Sequence, residues 1–174
     1  MKKLITMALV FGLAGCSLFL PKEAAAENID ITGDVQSRCT INTDTPGVYG
    51  NPNAYTLTTL PASAGQVPIV RVDTTLANAY NALISYPTSF SSGPSLGDTT
   101  AWVGAVTVDQ TSSADMSGYQ AASSQSGSTR TYALSVAGTT WFAVASTATY
   151  GGGQAKAFPG GSYKAVVVAE CIAQ

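Results

Sequence analysis

The stretch Gly160-Gly161-Ser162-Tyr163-Lys164-Ala165-Val166-Val167-Val168-Ala169-Glu170-Cys171-Ile172-Ala173-Gln174 decides the fold. Two glycines interrupt what precedes, and the valine-rich run after them has the composition of a strand. A cysteine stands near its end. The chain has three cysteines, and Cys16 falls in an N-terminal apolar segment, so Cys171 is expected to pair with Cys39. A last strand tied to a first strand implies one closed β domain built for an oxidising space. A loop this long lowers unfolded-state entropy by about 5 kcal/mol in the chain-entropy model. The alternative is two buried free thiols.

The N-terminus is read apart from the fold. Lys2 and Lys3 precede an apolar run from Leu4 to Leu20, and Ala24-Ala25-Ala26 offers the small residues of a cleavage site before Glu27. Residues 1–26 therefore read as a bacterial export signal, with a retained anchor as the weaker alternative. A second processing route competes: Leu13-Ala14-Gly15-Cys16 resembles a lipoprotein lipobox, which would lipidate Cys16. The apolar continuation Ser17-Leu18-Phe19-Leu20 favours cleavage after Ala26. Residues 27–174 suit a single domain.

Within that domain, Asn28 to Val35 alternates apolar and polar residues with Gly33 in an apolar slot, the pattern of a half-buried strand. Cys39-Thr40-Ile41 continues it, and Thr43-Asp44-Thr45-Pro46-Gly47 supplies turn residues. Tyr49 to Asn53 reads as a loop. Strands are expected at Ala54–Leu60 and Gln66–Asp73, with Pro68 near the start of the second or on an edge. Thr74 to Ser85 has both helical and strand spacings, and the reading favours a short turn or loop followed by a strand from Tyr80. Pro87 to Thr99 is a Ser/Gly/Pro-rich connection, and Ala101 to Val108 is a strand. Thr111 to Ser128 is low in complexity and reads as an exposed excursion. Strands at Thr131–Val136 and Thr140–Ser146 flank Ala137-Gly138, which suggests a hairpin. Seven to eight short strands with no long helix indicate an all-β antiparallel sandwich.

The chemistry is sparse. There is no histidine in the chain, which removes the commonest general base and most zinc sites. Asp98, Asp109 and Asp115 lie in polar surroundings where solvated loop acids are expected, and no calcium-loop spacing occurs. No cofactor is expected, and the chain reads as non-enzymatic. With eight Lys and Arg against ten Asp and Glu, it cannot supply the clustered cations that nucleic acid requires. Trp102, Trp141 and Phe142 sit within strands, where core packing is the default. Tyr119 and Tyr150, in loops, are the candidates for a carbohydrate platform.

Ile31-Thr32-Gly33-Asp34-Val35-Gln36-Ser37-Arg38-Cys39-Thr40-Ile41 resembles the first strand of chaperone–usher pilins, and Pro159-Gly160-Gly161-Ser162-Tyr163 with the run after it is similar to their last strand. The charge-poor composition, rich in Thr, Ser, Ala, Gly and Val, is similar too. That resemblance implies an immunoglobulin-like sandwich lacking its final strand, its groove filled by a neighbour's N-terminal extension. Ile29 and Ile31 would then belong to or border the donor segment, and Tyr163 to Ile172, with Tyr163, Val166, Val168 and Ile172 as candidates, would line the acceptor. The implied partners are identical or related subunits and a periplasmic chaperone, and the implied location is a fimbrium or pilus at the outer cell surface. The disulfide departs from the family pattern, which usually joins the first strand to the second, and a first-to-last clamp could also close the groove. The rival expectation is a self-complete exported module for a glycan or surface partner, attached to membrane only through a lipid on Cys16.

Overall fold

The structure, a computed structural model, describes residues 31–33, 36–113, 122–151 and 156–174. They form the strands β1 (Cys39–Thr45), β2 (Gly50–Asn53), β3 (Thr56–Thr58), β4 (Ile69–Thr74), β5 (Tyr80–Ser85), β6 (Thr100–Thr111), β7 (Ser124–Ser126), β8 (Thr129–Leu134), β9 (Gly138–Tyr150) and β10 (Val168–Ala173), with inward and outward residues alternating in β4, β5, β8 and β9. One 3-10 turn, Pro61–Ser63, is the helical element among them. All pairings between these strands are antiparallel. Short β2, β3 and β7 carry the count above the expected seven to eight.

Strand β9 organises the larger sheet. Its first half pairs with β4 and its second half with β3 along one edge, while β6 pairs along the other. The order is β1-β4-β9-β3-β2, with β6 across β9. The smaller sheet runs β10-β5-β8-β7. Between the two lies one core of Val70, Val72, Ala82, Ile84, Val106, Tyr132, Leu134, Phe142 and Val144. Phe142, fully buried, meets the Tyr132 ring at 4.7 Å between centroids. The Tyr132 hydroxyl cannot stay unpaired in that setting, and it donates to the Val106 carbonyl at 2.8 Å.

Several connections differ from their sequence reading. Ala137-Gly138 is not a hairpin: β8 belongs to the smaller sheet and β9 to the larger, so the chain arches across the core, with Gly138 at φ 144°. Strand β1 continues through Thr43-Asp44-Thr45, with Asp44 bulged out of the β1–β4 register. The bulge lets the Asp44 carboxylate accept from the Trp141 indole N–H at 3.3 Å, so Trp141 faces outward rather than into the core. Tyr49 to Asn53 contains β2 instead of only a loop. The end of the Thr111–Ser128 excursion forms β7, joined to β8 through Gly127 at φ 55°. Thr74 to Ser85 resolves as expected, with a turn through Asn78 and a strand from Tyr80. The strand read from Asn28 to Val35 lies outside the described residues except for Ile31 to Gly33, which join no strand.

A close approach explains one glycine in mid-strand. A Cβ on Gly104 would lie 2.3 Å from the Tyr86 ring carbon Cγ, because the connection after β5 crosses β6 there. Gly104→Ala is expected to cost about 1–3 kcal/mol by overpacking, read as a lower urea midpoint at unchanged slope. A midpoint within error of the parent would contradict that packing.

Candidate functional site

Cys39 and Cys171 form the disulfide that their positions suggested, with Cα atoms 6.3 Å apart. The bond joins β1, the outermost strand of the larger sheet on that side, to β10, the outermost strand of the smaller one. Among the described residues β1 pairs only with β4, and β10 only with β5. Each therefore presents an unpaired edge on the same side of the sandwich. Since β1 leaves the disulfide and β10 runs toward it, the staple closes one end of the gap between them.

Toward the other end the gap opens into a groove. Lys164 exchanges backbone hydrogen bonds with Ser92, its N–H donating at 2.8 Å, but residues 165–167 join no ladder before β10 begins at Val168. The groove, about 450 Å³ in volume, lies between Ala165, Val166 and Val167 on one wall and Pro68, Ile69 and Val70 on the other. Its floor carries the Tyr49 hydroxyl, 3.0 Å from Ser146 Oγ. Burial pushes the Tyr49 phenol above its ordinary pKa, against the Ser146 hydrogen bond, so it is a neutral hydrogen-bonding group at pH 7. A recess of about 390 Å³ continues past Tyr49 to Gly161 and Tyr163, and another of about 320 Å³ lies outside Val166 and Val168.

The period-two alternation divides the acceptor residues read from the sequence between two faces. Tyr163, Ala165, Val167, Ala169 and Cys171 are half-buried on the inner face. Val166, Val168 and Ile172 point the other way and are 49%, 48% and 45% exposed. Tyr163 is thus separated from the other three. Ala165 and Val167, which only the tertiary register reveals, supply the inner wall, while Val166 sits at the rim. Ile31 is 95% exposed, and Ile29 and Cys16 lie outside the described residues.

The carbohydrate platform needs correction. Tyr150 is the last residue of β9, only 7% exposed, with its ring stacked on Phe158 at 5.2 Å. Its hydroxyl accepts from the Gly97 N–H at 3.1 Å. A ring so covered cannot present a face to a sugar. Tyr119 lies outside the described residues. Tyr150 instead borders an aromatic end-cluster in which Phe90 contacts Trp102 at 4.8 Å, Tyr163 at 4.9 Å and Phe158 at 5.9 Å. Sequence reasoning passed over Phe90, whose only signal was an aromatic residue inside a Ser/Gly/Pro-rich connection.

Of the carboxylates considered for catalysis, Asp98 pairs with Lys156, which holds its pKa below the usual range with help from the Thr99 N–H. Asp115 lies outside the described residues. Among the described residues no three His, Cys, Asp or Glu side chains gather as a metal site, and no helix is long and apolar enough to cross a membrane. No family model, curated protein or solved structure matches the chain.

Proposed function

We propose that this protein is an exported, non-catalytic structural subunit of a surface fibre, pilin-like in design, that joins to its neighbours by strand addition. The observation that carries this reading is that, among the described residues, β10 pairs only with β5, leaving its other edge beside an apolar groove. Unpaired backbone groups on a sheet edge accept a strand, and pockets between the sheets select its alternate side chains. The order β1-β4-β9-β6 facing β10-β5 supports an immunoglobulin-like sandwich in which no described strand lies beyond β10.

The donor is the segment before β1 of a second copy. Because β1 starts at Cys39 and Gln36 to Arg38 are engaged with Thr75, cleavage after Ala26 leaves Glu27 to Val35 for donation. That segment is about nine residues, or roughly 30 Å extended. It matches the stretch from Ala165 to Ala173 that it would line, and Ile29, Ile31 and Val35 fall on one face of it. A periplasmic chaperone would cover the same edge before assembly.

The reading is tested with oxidised residues 27–174, refolded without a chaperone or added peptide and followed by sedimentation velocity. Assemblies larger than a monomer are expected, and deletion of residues 27–35 should abolish them. A stable monomer that is indifferent to the deletion would sink the proposal and leave the self-complete module, which the staple between the two edge strands favours.

A further inference from the structure

A second concavity lies where the connection after β5 folds over the start of β6. It shares no lining residue with the groove between β1 and β10. Its volume of about 470 Å³ falls in the ~300–1,000 Å³ range of small-molecule sites, room for about one or two sugar rings. Phe90 and Trp102 form its aromatic wall, ring centroids 4.8 Å apart and planes at 63°. Both rings are only partly buried, whereas the neighbouring Tyr150 is covered. The exposed hydroxyls of Ser89 and Ser92 and the carboxylate of Asp98 line it as well.

We propose that this cleft binds a neutral pyranoside, its C–H face on Trp102 with Phe90 beside it, and its hydroxyls on Ser89, Ser92 and Asp98. An aromatic face carries negative potential and attracts the weakly positive C–H groups on one side of a sugar ring. Serine hydroxyls both donate and accept, which suits a ligand whose own groups do the same. Asp98 is held in place: its Oδ1 accepts from the Thr99 N–H at 2.7 Å, and its Oδ2 pairs with Lys156. Each oxygen keeps a further lone pair for a ligand hydroxyl. The charge is already balanced, so a cation would have to displace Lys156 and an anion would face the carboxylate. A neutral polyol meets neither penalty. Thr100 Oγ1, buried in the same wall, has no hydrogen-bond partner among the described residues. Such unmet capacity is uncommon in a finished interior.

The test uses oxidised residues 27–174 carrying Trp141→Phe, which leaves Trp102 as the sole tryptophan of the two. Methyl glycosides of glucose, galactose, mannose and N-acetylglucosamine are titrated while its emission is followed, with a methyl sialoside as the anionic comparison. At least one neutral glycoside should give a saturable change, and the sialoside should bind more weakly. Asp98→Asn and Ser92→Ala, both on the surface connection, should each weaken binding about tenfold at unchanged unfolding temperature. Absence of saturable binding by any neutral glycoside, in emission and in saturation-transfer NMR of the unsubstituted chain, overturns the proposal. Binding indifferent to both substitutions overturns it too, since the sugar would then sit elsewhere. These outcomes are independent of strand addition, which is read by sedimentation.

Discussion

Replacing both Cys39 and Cys171 with alanine is expected to lower stability by about 5 kcal/mol in the chain-entropy model, and the unfolding temperature by roughly 10–20 °C. The bond closes almost the whole described domain into one loop, with a sequence separation of 132. It also acts locally, because β10 has hydrogen-bonded neighbours on one side only among the described residues. Its inward residues Ala169 and Cys171 are small and half-buried, so packing alone holds it weakly. Reduction should therefore release β10 before the rest of the sandwich. Amide exchange at Val168 to Ala173 should accelerate far more than in β9, whose hydrogen-bonded neighbours lie on both edges. A fall below about 5 °C, or uniform acceleration in β9 and β10, would show that the staple does not hold the edge.

Adding a synthetic peptide of residues 27–35 to oxidised residues 36–174 is expected to raise the unfolding temperature in a saturable way. At a hundred times its dissociation constant the peptide contributes about 2.7 kcal/mol, or roughly 8 °C for a body of this size. Two terms drive it: new backbone hydrogen bonds along β10, and burial of Ile29 and Ile31 at about 1.5–3 kcal/mol each. Ile31→Asp in the peptide should weaken binding by roughly 10–100-fold. Val167→Lys in the body should do the same from the other wall, because Val167 faces the groove and Val168 does not. Val168→Lys, on the outer face, is the control and should change affinity little. Equal affinity for the parent and Ile31→Asp peptides would mean that the pockets do not read the donor's side chains.

Much of this architecture was legible in the chain. The all-β class followed from short alternating runs bounded by Gly, Pro, Asn and Asp. The Cys39–Cys171 pairing followed from the number of cysteines left beyond the apolar N-terminus. Both depend on local composition, which the sheet then respects: Val70 and Val72 alternate with Arg71 and Asp73 in β4, as a half-buried strand requires. The start of β5 at Tyr80 was legible for the same reason.

What the chain alone could not express was which neighbour each strand takes and which of its two faces turns inward. Ala137-Gly138 is equally compatible with a hairpin and with an arch, since both need a tight reversal between alternating runs. Only the allocation of β8 and β9 to different sheets decided for the arch. Tyr150 looked like an exposed loop ring because glycines follow it, yet the length of β9 carries it into the aromatic end-cluster. Phe90 and Trp102 come from separate parts of the sequence and meet only after the connection folds over β6. The same holds for the closing run from Tyr163 to Ala173. Its composition pointed to a strand, which the structure forms over Val168–Ala173 rather than from Tyr163, and to Cys171 as the tie to the start of the domain. A period of two defines two faces but does not rank them, and backbone edges carry no label in sequence. In the folded chain Ala165 and Val167 form the inner wall and Val166 and Val168 turn outward, while among the described residues β10 pairs with β5 alone.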